Sequence, residues 1–212
     1  MQPVYFAQLI LLAAIWGSSF MFMRIAVPAL GPTWMLEVRL FSAALFLLLV
    51  TRLIGQSLDA GRHWRHYLIL GLLNTALPFF VFAWAARELP ASSLAILNST
   101  APLWGLVIGF LWRGKPISAR AILGLLFGVA GVGTLVGFSG FASQPGQLSA
   151  ALLAASAAVF YGIASNYAEQ AESVPPFANA HGSMWAAALL MLPLAPFSPL
   201  PPSWPAVPVL SA

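Results

Sequence analysis

Residues 11–39 read LLAAIWGSSFMFMRIAVPALGPTWMLEVR, and this stretch carries three charges within apolar sequence. No charge interrupts residues 7–23, but Arg24 stands near the end of that run, and Glu37 and Arg39 open the next one. Even lenient insertion scales put a charge at a bilayer centre at about 2.5–3.5 kcal/mol. Such residues therefore face a protein interior, a water-filled cavity or the membrane interface.

The composition is that of a membrane protein. Of the 212 residues, 60% are hydrophobic and 7% are charged, whereas a soluble domain carries about 25% charged residues. The mean hydropathy of +0.89 agrees, so we expect the lipid bilayer to surround the chain. Most basic residues lie in short loops, so no nucleic-acid partner is expected. The absence of cysteine excludes disulfides and thiolate metal sites.

Seven apolar runs are long enough to cross a bilayer as helices, which takes roughly 20 residues. They are longer than barrel strands and lack strict alternation, so helices are favoured over a β-barrel. The predicted fold is an all-α polytopic membrane bundle of about seven transmembrane helices. The runs are residues 4–27, 33–51, 67–86, 91–112, 120–140, 148–168 and 177–196, with a short Pro/Gly turn at 27–33.

The charges of the connecting loops predict the orientation. Loops 52–66 and 113–120 carry six basic residues on one side, against only Arg87 on the other. The positive-inside rule then places the N-terminus in the cytoplasm of a multi-pass inner-membrane protein. The first eight residues lack a basic residue, and no signal-peptide layout follows them, so the first run is expected to be a retained helix.

Paired glycines on the fourth and fifth runs predict close helix packing. Small residues four apart let two helix backbones approach each other in lipid. The simpler interpretation is packing within one chain, and the alternative is a homodimer through the Gly-rich face of the fourth span. The pairs are Gly105/Gly109, Gly124/Gly128 and Gly133/Gly137.

A faint internal repeat relates the first and sixth runs. The tetrapeptide LLAA occurs at residues 11–14 and 152–155, and Trp16-Gly17 has a counterpart in Tyr161-Gly162. Repeats of this kind are frequent in transporters, and a unit with an odd number of spans inverts its second copy. From residue 193 onward, seven prolines rule out a regular α-helix, and we expect an external loop.

These residues together resemble the EamA-type members of the drug/metabolite transporter superfamily. The resemblance is good over residues 4–137 and faint over 147–196. The matching positions are Trp16-Gly17-Ser18-Ser19-Phe20, Arg24, Pro32, Arg39, Ala91-Ser92-Ser93-Leu94-Ala95, Pro102, Ile117-Ser118, Gly124 and Ala130-Gly131-Val132.

The resemblance implies an architecture of two inverted five-helix repeats. Residues 4–140 would form the first EamA-like repeat, 147–196 the first two helices of an incomplete second repeat, and 197–212 a Pro-rich tail. Three helices of the second repeat are then missing, so we expect either a truncated product or fragment, or a missing part that is supplied elsewhere. The implied function is a secondary transporter that exports small metabolites, such as amino acids or related compounds, by alternating access.

Candidate substrate-binding or gating residues are the polar and aromatic side chains within the spans. Arg24 could bind an anionic group or pair with Glu37, and its alternative is an interfacial anchor. Arg39 is expected in the interior, and its alternative is likewise an interfacial anchor. Pro102 removes a backbone hydrogen bond near Asn98, and Asn74 repeats this pattern four residues before Pro78, which is typical of broken helices at midplane sites. The full set is Trp16, Phe20, Arg24, Arg39, Asn74, Asn98, Pro102, Tyr161 and Asn166.

Structural alternatives exist for these residues. The asparagines could bond to neighbouring helices beside a Pro kink, and Tyr161 could pack in the core. His181 could titrate in a proton-coupled cycle or lie at the interface. No HExxH, Walker A or GxSxG motif is present, so neither an enzyme nor a cofactor is expected, and pumping would have to be secondary. The alternative function is a non-transporting truncated membrane protein that packs with another membrane chain.

Overall fold

The chain is an α-helical bundle in the computed structural model, which describes residues 3–114, 116–138 and 146–199. Within these ranges no strand is present. The elements are α1 (Pro3–Leu30), α2 (Pro32–Ile54), α3 (Ala60–Leu70), a π-helix (Gly71–Ala76), α4 (Leu77–Ala85), α5 (Ala91–Asn98), α6 (Ala101–Arg113), α7 (Ala119–Phe138), α8 (Gln147–Gln170), α9 (Pro176–Met191) and a 3₁₀ helix (Leu192–Phe197).

Among the described residues, six helical segments are long and apolar enough to cross a membrane, and a seventh apolar helix is shorter. This confirms the predicted all-α polytopic bundle. The fifth predicted run reaches Gly140, which lies outside the described residues, and the shorter apolar segment there is Ala119–Gly131. The six long segments are Val4–Leu30, Pro32–Ile54, Ala60–Ala85, Ala91–Arg113, Gln147–Gln170 and Pro176–Phe197.

Two predicted connections are shorter than hydropathy suggested. The predicted turn at residues 27–33 is wrong, because α1 continues through Pro28 to Leu30 and only Gly31 separates it from α2. Gly31 has a φ of 76°, which a residue with a side chain rarely adopts. The predicted loop 52–66 contracts to residues 55–59. Hydropathy shows where apolar sequence ends, whereas helical hydrogen bonds continue into polar residues.

The third and fourth spans are both irregular at the predicted Asn-Pro positions. In the third span a π-helix surrounds Asn74, and the backbone N–H of Leu77 bonds to the carbonyl of Leu72, five residues earlier. In the fourth span α5 ends at Asn98, and α6 starts at Ala101. A proline four residues after each asparagine cannot donate the hydrogen bond that would continue a regular helix.

Helices α8 and α9 pack into the centre of the bundle. Helix α8 contacts α4, α5 and α6, and α9 contacts α2, α3 and the π-helix. The inner face of α8 is rich in fully buried alanines, and a Cβ on Gly162 would lie 2.9 Å from the backbone carbon of Trp104. Small residues therefore permit the close approach of α8 and α6.

The fourth-span glycines are used within the chain. A Cβ on Gly109 would lie 2.9 Å from Oδ1 of Asn166, and Gly105 faces Ser165. Helix α8 thus covers the face that could have formed a dimer contact. On α7, Gly128 faces Leu103, and Gly124 has no side chain nearby. The pair at residues 133 and 137 lies outside the residues whose surroundings are described.

One end of the bundle collects the basic residues. Arg113 at the end of α6 forms an ion pair with Glu169, and Arg62 on α3 pairs with Glu172 after α8. The basic residues of α3 and α6 and the acidic residues at the C-terminal end of α8 therefore lie on the same side of the bundle. Arg62 and Glu172 are both more than half exposed, so that pair contributes little stability on its own, whereas the Arg113 side chain is largely buried.

Candidate functional site

A cavity of about 410 Å³ lies between α1, α2, the π-helix, α4, α5, α8 and α9. Cavities of about 300–1,000 Å³ are typical for small-molecule ligands. The lining residues are Ile15, Trp16, Ser19, Phe20, Met23, Arg39, Asn74, Thr75, Phe79, Phe82, Asn98, Tyr161, Ala180, Ser183 and Met184.

The cavity brings together six of the nine sequence-predicted residues. They are far apart along the chain and lie on five different helical segments, so only the packing of the bundle makes them neighbours. The six are Trp16, Phe20, Arg39, Asn74, Asn98 and Tyr161.

Arg39 supplies the charge of this cavity. Its guanidinium carbon lies 4.1 Å from the centroid of the Phe79 ring, a cation–π contact. It is also within electrostatic range of the Tyr161 hydroxyl. Among the described residues it forms no ion pair and no hydrogen bond. All five N–H donors of the guanidinium are therefore available to a ligand or to water.

Asn74 and Asn98 supply neutral polar groups. Each lies at a helix irregularity, in the π-helix or at the last residue of α5. Neither side chain has a hydrogen-bond partner within the described part of the chain. π-helical turns are frequent at functional sites, because they change the direction of side chains relative to the surrounding helix. The two amides can both donate to and accept from a bound molecule.

Aromatic rings form the apolar wall of the cavity. Phe20 and Phe82 contact each other edge to face, with ring centroids 5.2 Å apart. Trp16, Phe79 and Tyr161 add three further rings to the lining. The cavity therefore combines a large aromatic surface with one guanidinium and two amides.

Arg24 lies outside this cavity. Its guanidinium donates to the backbone carbonyls of Ala86 and Arg87, the latter at 2.8 Å, just beyond α4. A cation at a helix C-terminus satisfies carbonyls that have no helical partner. Arg24 does not pair with Glu37, which is 4% exposed and has no hydrogen-bond partner among the described residues for either carboxylate oxygen.

Asn166 and Pro102 also lie elsewhere. Asn166 is 2% exposed, and its amide nitrogen donates to the carbonyls of Gly105 and Gly162, each at 2.8 Å. Its Oδ1 accepts a hydrogen bond from Arg113. These bonds join α8 to α6 near the basic end. Pro102 is exposed in the first turn of α6.

His181 is fully buried rather than interfacial. The indole N–H of Trp185 donates to its Nε2 at 2.9 Å, so its Nδ1 carries the proton and donates to Thr51 Oγ1 at 2.8 Å. The Thr51 hydroxyl in turn donates to the carbonyl of Leu47 at 2.7 Å. This network joins α9 to α2 and uses both imidazole nitrogens of a neutral ring.

Several lining residues were not among the sequence predictions. Thr75, Phe79 and Phe82 follow Asn74 in the third span, and Ser183 and Met184 lie on α9. A helical wheel centred on Asn74 would have suggested Phe82, two turns later. No pattern in the sequence would have indicated Ser183 or Met184, because their position depends on how α9 enters the bundle.

A second cavity, of about 470 Å³, contains none of the predicted site residues. It lies where α1 meets α2, and its walls include Trp34, Trp84, Arg87 and Ser198. The guanidinium of Arg87 lies 5.1 Å from the ring of Trp84. Because the predicted side chains gather in the central cavity and not in this one, the central cavity is the candidate site.

Comparison with known proteins agrees with this architecture. Residues 5–137 match the EamA-like transporter family. The chain belongs to this family. Protein PecM of Dickeya dadantii is 27% identical over 141 residues, which are 66% of this chain and 46% of PecM. An uncharacterized inner membrane transporter of Escherichia coli K12, YedA, is 30% identical over 128 residues, which are 60% of this chain and 42% of YedA.

The matched region is only part of the EamA-like relatives. The chain spans less than half the length of both PecM and YedA. No solved structure matches the chain. Family membership and the six apolar helices together make this chain a multi-pass membrane protein.

Proposed function

We propose that this chain acts in secondary transport, moving small metabolites across the inner membrane by alternating access. The proposal rests on the central cavity, which seven helical segments line. There the side chains of Arg39, Asn74 and Asn98 have no hydrogen-bond partner in the described part of the chain. Amino acids and related compounds are the proposed substrates, and export is the proposed direction. Both follow from the family resemblance. No enzymatic activity is proposed.

The irregular third and fourth spans support a conformational cycle. Asn74 lies in a π-helix and Asn98 at a helix end, so both spans have interrupted hydrogen bonding beside the cavity. Segments interrupted in this way can tilt about the irregularity while the flanking helices remain intact. Rocking of α3, the π-helix and α4 against α5 and α6 would open the cavity first to one side and then to the other.

The orientation is proposed from charge. The end that carries Arg62, Arg113 and their acidic partners would face the cytoplasm, which also places the N-terminus there. The chain lacks cysteine, so single-cysteine variants report on topology without background. In intact cells, Ser57→Cys should resist a membrane-impermeant maleimide, and Ser92→Cys should react. The reverse pattern would overturn the orientation.

The main test is flux in proteoliposomes containing the purified chain. Counterflow of individual radiolabelled amino acids should exceed that of protein-free vesicles for at least one compound. Arg39→Ala should lower the initial rate about tenfold or more, because loss of a charge-assisted hydrogen bond costs about 1.5–3 kcal/mol. Arg52→Ala removes the same charge from the exposed end of α2 and should leave the rate unchanged.

Two results would count against transport by this chain. Folded protein that gives no flux above empty vesicles for any compound would overturn the proposal. Equal flux for Arg39→Ala and the unmodified chain would remove Arg39 from the mechanism. Purification by size exclusion and helical circular dichroism would establish that each variant is folded before flux is measured.

A second function is favoured by the exposure of α1. Residues 4–17 of this helix are exposed, so the rest of the chain packs against little of its first half. We propose as the alternative that α1 packs against another membrane chain without transport by this chain alone. Cross-linking from Leu11→Cys in membranes would then give a defined heterodimeric product, whereas a lipid-facing helix would give none.

A homodimer remains a proposal as well. Helix α8 occupies the Gly105/Gly109 face, so a second copy would have to use α7, where Gly124 is open. Cross-linking from Leu123→Cys, on the exposed side of α7, should then yield a product of twice the chain mass. A product confined to the monomer mass would contradict the homodimer.

A further inference from the structure

The central cavity has an unbalanced charge. Arg39 is its single charged lining residue, and no Asp or Glu is among the described residues that line it. The sequence neighbours of Arg39 add no charge to the cavity. Val38 faces outward and Leu40 is packed in the core, and both are apolar. Glu37, two residues from Arg39, is buried but does not line the cavity.

We propose that this cavity binds an amphipathic organic anion, with a carboxylate on Arg39 and an aromatic or branched apolar group against the rings. The inference rests on the proposed transport function and narrows the proposed substrates from amino acids to related carboxylic acids that lack the ammonium group. The cavity should prefer a carboxylic acid without an ammonium group over zwitterionic and cationic compounds of the same shape.

The guanidinium of Arg39 is placed to bind an anion. It remains charged at any physiological pH, and its N–H donors have no partner in the described part of the chain. The guanidinium carbon lies 4.1 Å from the centroid of the Phe79 ring, so this ring contacts the guanidinium without using its N–H donors. A planar carboxylate can accept two parallel hydrogen bonds from these donors. An unpaired charge away from bulk water is costly, and a bound anion would offset that cost.

The remaining lining groups disfavour a second, positive charge on the ligand. The other polar groups are neutral amides and hydroxyls, including those of Asn74, Asn98 and Tyr161. Aromatic rings can attract an ammonium group, but here the ammonium would share a cavity of about 410 Å³ with a guanidinium. In a low-dielectric site, repulsion between the ammonium group and the Arg39 guanidinium opposes the attraction of the ammonium to the rings.

The apolar part of the ligand has a defined position. Trp16, Phe20, Phe82 and Tyr161 all line the cavity, and Phe20 and Phe82 contact each other. A ring or branched chain would bury its surface against these side chains, while Asn74 and Asn98 fix the orientation of the polar end. An inorganic anion, which has no apolar part, would use only the Arg39 contact.

The test is equilibrium binding to the purified full chain in lipid nanodiscs by isothermal titration calorimetry. Four probes share a phenyl ring and differ in charge: 3-phenylpropionate, its amide 3-phenylpropionamide, the zwitterion phenylalanine and the cation 2-phenylethylamine. The anion should bind about ten- to a hundredfold more tightly than its neutral amide, the range for a charge-assisted bidentate contact. The zwitterion should bind more weakly than the anion, and the cation most weakly.

Variants assign this preference to Arg39. Arg39→Gln should reduce the affinity for 3-phenylpropionate to that for the amide, and Arg39→Lys should retain part of the preference. Arg52→Gln, which removes a charge at the exposed end of the same helix, should leave all four affinities unchanged.

Each other outcome overturns the inference in a distinguishable way. If the amide or phenylalanine binds the unmodified chain as tightly as the anion, the charge preference is wrong, but the cavity remains a binding site. If Arg39→Gln keeps the full preference, the anion binds elsewhere. If no probe binds to protein that shows flux of another compound in vesicles, the ligand class is wrong and transport stands.

Discussion

Two regions of this bundle each contain an arginine and an asparagine, but in one region these side chains are bonded within the described part of the protein and in the other they are not. At the basic end, Arg113 pairs with Glu169 and donates to Asn166, whose amide also bonds two backbone carbonyls. In the central cavity, Arg39 and Asn98 have no hydrogen-bond partner among the described residues.

The difference shows which region holds the bundle together. A buried polar network that is satisfied rigidifies the helices it joins, whereas unsatisfied groups cost stability unless water or a ligand reaches them. Asn166 therefore belongs to the α6–α8 interface, and Arg39 to a site that is open to a ligand. Deleting the Asn166 side chain should lower stability, and deleting the Arg39 side chain should weaken ligand binding.

The largest expected effect is that of Asn166→Ala. It removes three hydrogen bonds and leaves two backbone carbonyls, one of them buried, and the Arg113 side chain without this partner, so we expect a loss of about 2–4 kcal/mol in unfolding free energy. Thermal unfolding in detergent measures this. Asn98→Ala, the matched change in the cavity, should alter stability by less than about 0.5 kcal/mol. Equal losses for the two variants would contradict the distinction.

Arg113 and Arg39 should show the same contrast in stability as Asn166 and Asn98. Arg113→Gln breaks an ion pair and a hydrogen bond, and we expect a loss of about 1–3 kcal/mol. Arg39→Gln removes an unpaired charge and should be neutral or stabilising in the absence of ligand. Chemical denaturation of the two variants side by side compares them. A marked loss for Arg39→Gln alone would show that Arg39 is structural.

Packing distinguishes the two regions as well. A methyl group at Gly162 would lie 2.9 Å from the backbone of Trp104, so Gly162→Ala should cost about 1–3 kcal/mol. Gly17→Ala, next to Trp16 of the cavity, meets nothing within 4 Å and should be neutral or slightly stabilising. Melting temperatures of both variants report the difference, and a neutral Gly162→Ala would mean that α6 and α8 can separate without cost.

The smallest effect is expected for the exposed ion pair at the basic end. Arg62→Gln should change stability by less than about 0.5 kcal/mol, because both partners are more than half exposed and the pair is screened by salt. Repeating the measurement at high ionic strength should abolish even this difference. A larger, salt-independent loss would show that Arg62 has a buried role.

Much of this structure follows from local sequence properties. Hydropathy alone identifies the spans, and the spacing of Asn74 and Asn98 from the following prolines indicates where two of them are irregular. The connections were less predictable: hydropathy missed the continuation of α1 to Leu30 and the start of α3 at Ala60. Backbone hydrogen bonds decide where a helix ends, and they can extend through polar residues that a hydropathy profile assigns to a loop.

The sequence by itself determined that this chain is a helical membrane bundle, because an apolar helix satisfies its own backbone and needs no distant partner. It also supplied polar groups within the spans. Only the tertiary structure decided that Asn98 faces a cavity and Asn166 an interface. It also decided that Arg24 caps a helix, while Arg39 has no hydrogen-bond or ion-pair partner within the described ranges. Each of those outcomes depends on which helix packs against which, and contacts between residues distant in sequence leave no local pattern.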